Sequence, residues 1–455
     1  MLRWLLPLVA AALLQAAPIY IPYDEVDRRP DADRPAEAAS RLRISATDWP
    51  AWVAKRDAEI RARLVRGDED SLVYLWLYGT AFTKQPRATA EQIDRLRDSG
   101  KAEALLIDRL DDLVSAIAAP GTNERLLFAR RHLSGRGIDV RTEAGRMKAR
   151  EFLVEARERV IAENAEFGRA AEAARRSTDA DAALAAYATL FRDRGLSSDT
   201  RLTASFAIDA ALAAVAQSAV LPAFSVRRAA IVGPGLDFTD KAEGYDFYPQ
   251  QTIQPFALID SLLRLDLAPA SAFRLTTYDL SPRVNAHLAA AVQRAARGAG
   301  YTLHLPLAGG DPSHEWQPAL VGYWERFGAR VGREGKPPPR PEAAAGVRVR
   351  SITVPAARVR VISPRDLNIV LQREPLGESE RFDLIVATNV LVYYDSFEQG
   401  LALANIASML RPGGIFLTNY RIAASARMEA LPQLTTRVFF DRQGNGDSVF
   451  CYRRR

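Results

Sequence analysis

Between residues 46 and 221 apolar positions recur every three to four residues, and from Arg227 onward they gather into short runs separated by helical stretches. In the first half, "EALLIDRLDDLVSAI" puts Leu106, Leu110, Leu113 and Ile117 on one stripe of a helix. Pro120-Gly121 ends it, and Thr122-Asn123 is placed to cap the next. "SLVYLWLYGTAF" is apolar almost all round, which predicts a buried helix. The Ala-, Glu- and Arg-rich run 142–177 predicts a long exposed helix. A further helix is expected after Ser177 or Thr178, with Leu184, Tyr187 and Phe191 on one face.

The second half alternates β-rich runs with helical ones, which argues for an α/β unit around a parallel sheet. The expected strands are 228–233, 272–279, 358–363, 382–389 and 414–420, with helices near 253–265, 282–298 and 396–410. "TTRVFF" and "DSVFCYRR", joined by "DRQGNG", read as an antiparallel hairpin. The interval 306–346 exceeds a minimal α/β unit and carries a helix with Trp316, Tyr323, Trp324 and Phe327, then a proline-rich arm. Such an insertion lies over a site or serves as a linker, and Trp316, Tyr323 and Trp324, with Tyr393 and Tyr394 further on, are candidate substrate contacts. The expected organisation is a signal segment over 1–17, a linker over 18–45, an all-α domain over 46–221 and an α/β domain over 222–455.

Composition narrows the chemistry. The formal charge is +6, and the basic residues are interspersed with acidic ones, so the sequence shows no stripe of the kind that binds nucleic acid. One cysteine, Cys451, excludes an intrachain disulfide and a thiolate metal cluster, and four scattered histidines offer no ligand spacing, so no metal is expected. The start, "MLRWLLPLVAAALLQAAP", has the layout of a secretory signal, which points to an exported, periplasmic or secreted protein; if the segment is not a functional signal, the location is cytoplasmic. It is short for a membrane span, and no span is expected after it.

The candidate cofactor residues follow the expected strands. Gly233-Pro234-Gly235 comes after the first, where glycines let a backbone approach a ligand at the strand tips. Asp279 ends the second, in position to take ribose hydroxyls, and Ser281-Pro282 begins the next helix. Asp366 and Leu367 follow the third, and Asn389 ends the fourth within "FDLIVATNVLVYYD". This ordered set, with "LRPGGIFL", resembles the class I S-adenosylmethionine-dependent methyltransferases, and its last two pieces are similar to the chemotaxis-receptor type and to general methyltransferase domains. The resemblance covers about residues 205–455. It implies a Rossmann-like sheet ending in an antiparallel strand, with S-adenosyl-L-methionine as cofactor. It also implies that Gly233 and Gly235 underlie the methionine part, Asp279 the ribose, Asp366 and Leu367 the adenine, and Asn389 with Val390 the methyl side.

The departures matter as much. Ile231 stands where the family usually has an acid, Asp237 where it has a third glycine, and a long loop separates Gly235 from Asp279. Asp237, Asp240, Tyr245 or Asp246 of that loop are then candidates to hold the cofactor's amino group. Methyl transfer is an in-line displacement that asks mainly for alignment. Where the acceptor needs a base, His304, His314, Tyr393 and Tyr394 are the candidates, and the acceptor itself is not legible. Three readings stay open: a methyltransferase, an exported binding or scaffold protein that keeps the fold without catalysis, and a nicotinamide-dependent oxidoreductase.

Overall fold

Residues alternate faces along a strand, so a sheet buried on both sides needs apolar residues at every position. The run "AAIV" meets that need: Ala229 and Ile231 enter the apolar core on one face, Ala230 and Val232 the core on the other. In the computed structural model, residues 17–27, 44–85, 101–176, 194–239, 245–307, 316–422 and 427–455 are described. The signal segment before residue 17, the helix expected after Ser177, Asp240 and His314 lie outside the described residues.

The chain begins with β1 (Ile19–Tyr20), α1 (Tyr23–Asp27), α2 (Trp49–Tyr78), α3 (Lys101–Ala118), α4 (Glu124–Ser134), α5 (Glu143–Arg176) and α6 (Leu202–Gln217). There follow β2 (Arg228–Val232), α7 (Gln254–Arg264), β3 (Arg274–Asp279), α8 (Pro282–Ala296), β4 (Tyr301–Leu307), α9 (Pro318–Arg326), β5 (Arg333–Gly335) and β6 (Arg348–Val354). The remainder is α10 (Ala356–Val359), β7 (Ile362–Asp366), β8 (Gln372–Arg373), β9 (Phe382–Ala387), α11 (Ser396–Met409), β10 (Leu410–Thr418), β11 (Met428–Ala430), β12 (Thr436–Phe439) and β13 (Gly446–Arg454).

The main sheet runs β11-β13-β10-β9-β2-β3-β7, with β12 also on β13. Strands β7, β3, β2, β9 and β10 are mutually parallel, and β13 is antiparallel to β10, β11 and β12. This is a Rossmann-like sheet closed by an antiparallel hairpin, the architecture the resemblance implies. The hairpin turn is held by Asp441, whose carboxylate accepts from Asn445 N and Nδ2 at 2.9 and 2.8 Å, while Gly444 takes φ 85°. One face is covered by α6, α7 and α8, the other by α11 and the first half of α2.

Two expectations shift. Residues 358–363 do not form a strand as a unit: Pro355 starts the short α10, and the strand begins only at Ile362. The interval around 306–346 is bounded by a three-stranded antiparallel sheet, β4-β6-β5, that the sequence reading did not contain. Its aromatic helix is structural. Tyr323, Trp324 and Phe327 belong to the core beneath α6, and Trp324 Nε1 donates to Leu305 O at 3.0 Å.

The helical half has its own core. Leu72, Leu75 and Trp76 of α2 meet the predicted stripe Leu106, Leu110, Leu113 and Ile117, and Asn123 caps α4 through the amides of Arg125 and Leu126. Phe238, which follows the glycine turn after β2, is fully buried in this same core. Its ring meets Phe128 edge-on at 5.4 Å, and the Arg283 guanidinium lies 4.9 Å over it. The buried Arg125 guanidinium donates to the carbonyls of Asp237, Phe238 and Tyr248, so the loop's backbone is fixed from the helical side.

Backbone meets backbone at a second point. A Cβ on Gly67 would lie 1.8 Å from Leu196 O, so α2 and the segment 195–200 touch with no room for a side chain. Two outcomes follow for urea denaturation. Phe238→Ala should cost about 3–5 kcal/mol by emptying its pocket. Gly67→Ala should destabilise by about 1–3 kcal/mol, whereas Gly168→Ala, in open space on α5, should stabilise by roughly 1 kcal/mol.

Candidate cofactor site

In an open α/β sheet the crevice for a ligand lies beyond the carboxyl ends of the strands, where the strand order reverses. Here that point is between β2 and β9, since the chain proceeds from β2 to β3 on one side and later adds β9 on the other. A cavity opens there, bounded by the strand ends on one side and the helical half on the other. Its floor comes from the strand ends: Gly233 and Gly235, Asp279, Leu367 and Asn389.

Each floor residue is fixed by a local constraint. Gly233 and Gly235 take φ 70° and 62°, a region that favours glycine. A Cβ on Gly233 would sit 2.5 Å from Val390 Cγ2, and one on Gly235 would sit 2.7 Å from Ser198 O. Asn389, at φ 58°, is held by a reciprocal pair with Asn419: its N donates to Oδ1 at 2.8 Å, and its Oδ1 accepts from Nδ2 at 2.7 Å. Asp279 accepts from Ser281 N at 2.8 Å and from Gly235 N at 3.4 Å, so it ties the glycine turn to the start of α8. Burial pushes the Asp279 carboxyl up to about 6, against the opposing pull of those two amides and of Arg283.

The facing wall comes from the helical half. Leu64 of α2 and the segment Leu196–Thr200 line the cavity opposite the strand ends. That segment pairs with the glycine turn: Leu236 N donates to Ser198 O at 2.7 Å, and Thr200 N to Leu236 O at 3.1 Å. Arginines clamp the wall in place. Arg63 donates through Nη1 and Nη2 to Tyr393 O at 3.1 Å and through Nε to Arg194 O at 3.0 Å. Arg56 pairs with Glu398 at 2.6 Å, and Arg283 reaches Asp68 at 3.0 Å and Ser198 Oγ at 2.8 Å.

The sequence-derived residues divide accordingly. Gly233, Gly235, Asp279, Leu367, Asn389, Val390, Tyr393 and Tyr394 line one cavity. Pro234 is buried beside them without lining it. Asp366 is level with Asp279 on the adjacent strand, yet its carboxylate is taken outward by Arg61 at 2.7 and 3.1 Å and does not line the cavity. Asp237 faces away: its Oδ2 accepts from Tyr248 OH at 2.7 Å and Gln251 Nε2 at 2.8 Å. Asp246 is occupied with Thr80 and Ala81 at the end of α2, and Tyr245 packs with Tyr248 in a separate small cluster. Trp316 bridges to Asp441, and Tyr323 and Trp324 lie in the core, all three away from the cavity.

The base candidates are weakened by their surroundings. Burial pushes His304 down to about 4, and its Nδ1 is 2.7 Å from Ser351 Oγ on β6, outside the cavity. Burial raises the Tyr394 hydroxyl above its ordinary value, so it is a neutral donor at neutral pH. The sequence reading missed Leu64, Ser198, Asp199 and Thr200, along with Gln254, whose Nε2 donates to Thr388 Oγ1 at 2.7 Å. "GLSSDT" reads as an ordinary loop, and its only signal is Gly195, which fits against Gly67. Asp199 brings a carboxylate into the wall; Ser71 Oγ donates to its Oδ2 at 2.9 Å.

No protein-family model matches the sequence, and a search of curated proteins finds no match. Among solved structures the chain is similar to a selenomethionine-substituted CurJ carbon methyltransferase at 13% identity and TM-score 0.26, over 92% of this chain and 99% of that one. It is also similar to the citrinin polyketide synthase CMeT domain at 10% identity and TM-score 0.23, over 86% and 88% of the two chains. Likeness at this level carries no weight for the site, which stands on its own residues.

Because Asp279 binds its proton more tightly when folded, the folded chain holds more protons than the unfolded one between the ordinary value of 3.8 and about 6. Its contribution to stability is therefore greatest below pH 4 and falls as pH rises through 6, by on the order of 3 kcal/mol in all. Asp279→Asn should flatten that part of the stability–pH curve, measured by urea denaturation from pH 4 to 7.

Proposed function

We propose that this chain binds S-adenosyl-L-methionine in the cavity at the strand ends and transfers its methyl group to an acceptor. The observation that carries the reading is Asp279, a buried carboxylate beneath Gly235 at the switch point of the sheet. A ribose offers two hydroxyl donors to such a group. The glycine turn fits the same ligand, because Gly233 and Gly235 border the cavity with no side chain of their own. Leu367 supplies an apolar surface for a flat ring, and Asn389 and Val390 border the far side. The segments "FDLIVATNVLVYYD" and "LRPGG" support a place near the chemotaxis-receptor type of methyltransferase.

The missing acid at Ile231 has a substitute in this reading. Asp199 enters from the segment before α6 and takes the amino group that the loop residues Asp237 and Asp246, occupied elsewhere, leave uncovered. When bound, the cofactor supplies an electrophilic sulfonium methyl. The protein's part is to align: the clamps from Arg56 and Arg63 hold the wall against the sheet, and alignment of this kind is worth up to roughly 7–11 kcal/mol in well-oriented reactions. Among the described residues no histidine lines the cavity and Tyr394 holds its proton, which favours an acceptor already nucleophilic at neutral pH. The same lack of a histidine among the described lining residues favours the second reading, a binding protein that keeps the fold without turnover.

Calorimetric titration with S-adenosylmethionine and with NAD separates the readings. Binding of the first alone, abolished by Asp279→Ala, supports the proposal; binding of NAD alone points to an oxidoreductase, and binding of neither ends both. Incorporation of a labelled methyl group into added thiol or amine acceptors then distinguishes turnover from storage. Asp199→Asn should weaken S-adenosylmethionine binding about tenfold or more and leave 5′-methylthioadenosine, which lacks the amino-acid end, unaffected.

A further inference from the structure

At the opposite, amino-terminal edge of the sheet the chain gathers arginines that are far apart in sequence. Arg227 precedes β2, Arg228 begins it, Arg274 begins β3, and all three line a recess together with Ser271 and Ser379. Arg228 and Arg274 are register partners on adjacent parallel strands, which run only about 4.8 Å apart. Side chains of register partners project from the same side, so two positive charges are held next to each other.

Asp383, bound to the backbone at the start of β2, does not relieve them. Asp383 spends Oδ2 on the backbone amides of Arg227 and Arg228, at 2.7 and 2.9 Å, and Oδ1 on Arg411. Among the described residues none of the three guanidiniums forms an ion pair, and Arg274 donates only to Phe273 O at 2.9 Å. Arg381, just before β9 on the other side of β2, has an Nε shielded from solvent with no partner among the described residues. Like charges fixed together by backbone pairing cost stability that an anion would return, and guanidinium forks match phosphate oxygens two at a time.

We infer that this recess binds a phosphate group, held by Arg227, Arg228 and Arg274 with the hydroxyls of Ser271 and Ser379 at its rim. Its concave form suits a single phosphate or diphosphate rather than an extended polyanion. It lies a strand's length, roughly 15 Å, from the cavity at the carboxyl ends, so its occupant is separate from the cofactor and the inference does not rest on the methyltransferase reading.

The test uses the full chain and two probes. Inorganic pyrophosphate is titrated by calorimetry, and phosphatidylcholine vesicles containing phosphatidic acid are tested by co-sedimentation. Saturable pyrophosphate binding is expected, weakened about tenfold or more in the double variant Arg228→Ala with Arg274→Ala. The double lysine variant should fall between the two, because it keeps the charge and loses the fork. Vesicle binding that is lost in the alanine variant, without pyrophosphate binding, assigns the phosphate to a lipid headgroup; pyrophosphate binding alone assigns it to a soluble ligand. Binding of neither probe, or binding that the alanine variant leaves unchanged, overturns the inference. These arginines are exposed, so the variants should fold normally, and the alanine variant should have a urea midpoint at or slightly above that of the wild type once the like charges are gone.

Discussion

The burial of Phe238 among the helices decides how the rest of the molecule is arranged. A glycine turn after a first strand would ordinarily lead straight into a helix on the sheet. Here the chain leaves the sheet, inserts Phe238 into the core of the helical half, and returns only at α7. Everything around that insertion is arranged to keep it. Arg125 holds the loop by the carbonyls of Asp237, Phe238 and Tyr248, and the Arg283 guanidinium packs on both Phe128 and Phe238. Because Leu236 is already paired with the segment 198–200, the ring anchors the far wall of the cavity as well as the loop. Fold and site are thus held by the same contacts.

Much of the sheet was legible because burial on two faces leaves a plain mark. "RAAIV", "FDLIVA" and "GIFLT" are apolar at nearly every position, and helices 282–298 and 396–410 match α8 and α11 closely. The misread parts have physical causes. "RVRVIS" alternates like a strand, but Pro355 ahead of it starts a helical turn, and pairing with β3 begins only at Ile362. "YTLHLPL" and "RVRSITV" carry strand alternation too, yet they are 40 residues and more apart, and only their antiparallel register, Tyr301 with Val354, reveals them as partners.

The site was half legible for a related reason. Residues that end strands could be placed from sequence: Gly233, Gly235, Asp279 and Asn389 all reach the cavity. Asp366, expected after the third strand, is that strand's last residue and belongs to Arg61, a partner 305 residues earlier that no spacing rule connects to it. Asp199 and Ser198 escaped notice because a loop acquires a role only from what it is pressed against. The arginines of the lower edge were invisible in the same way: 227, 228 and 274 look interspersed along the chain and become neighbours only when β2 and β3 pair.

The distances in sequence bridged by these clamps have a consequence for how the chain comes into being. Arg56 meets Glu398 across 342 positions, and Glu25 meets Arg373 across 348. A ribosome therefore produces Trp49, Val53 and Ile60, the apolar side of α2 that rests on the finished sheet, long before there is any sheet to cover it. Until synthesis passes residue 238 the helical core also lacks the ring that fills it. The early part of the nascent protein must wait, half wet, for its later part, and contacts of that range are slow to form and leave apolar surface open to wrong partners. Such a chain has a particular need of chaperone protection during its synthesis.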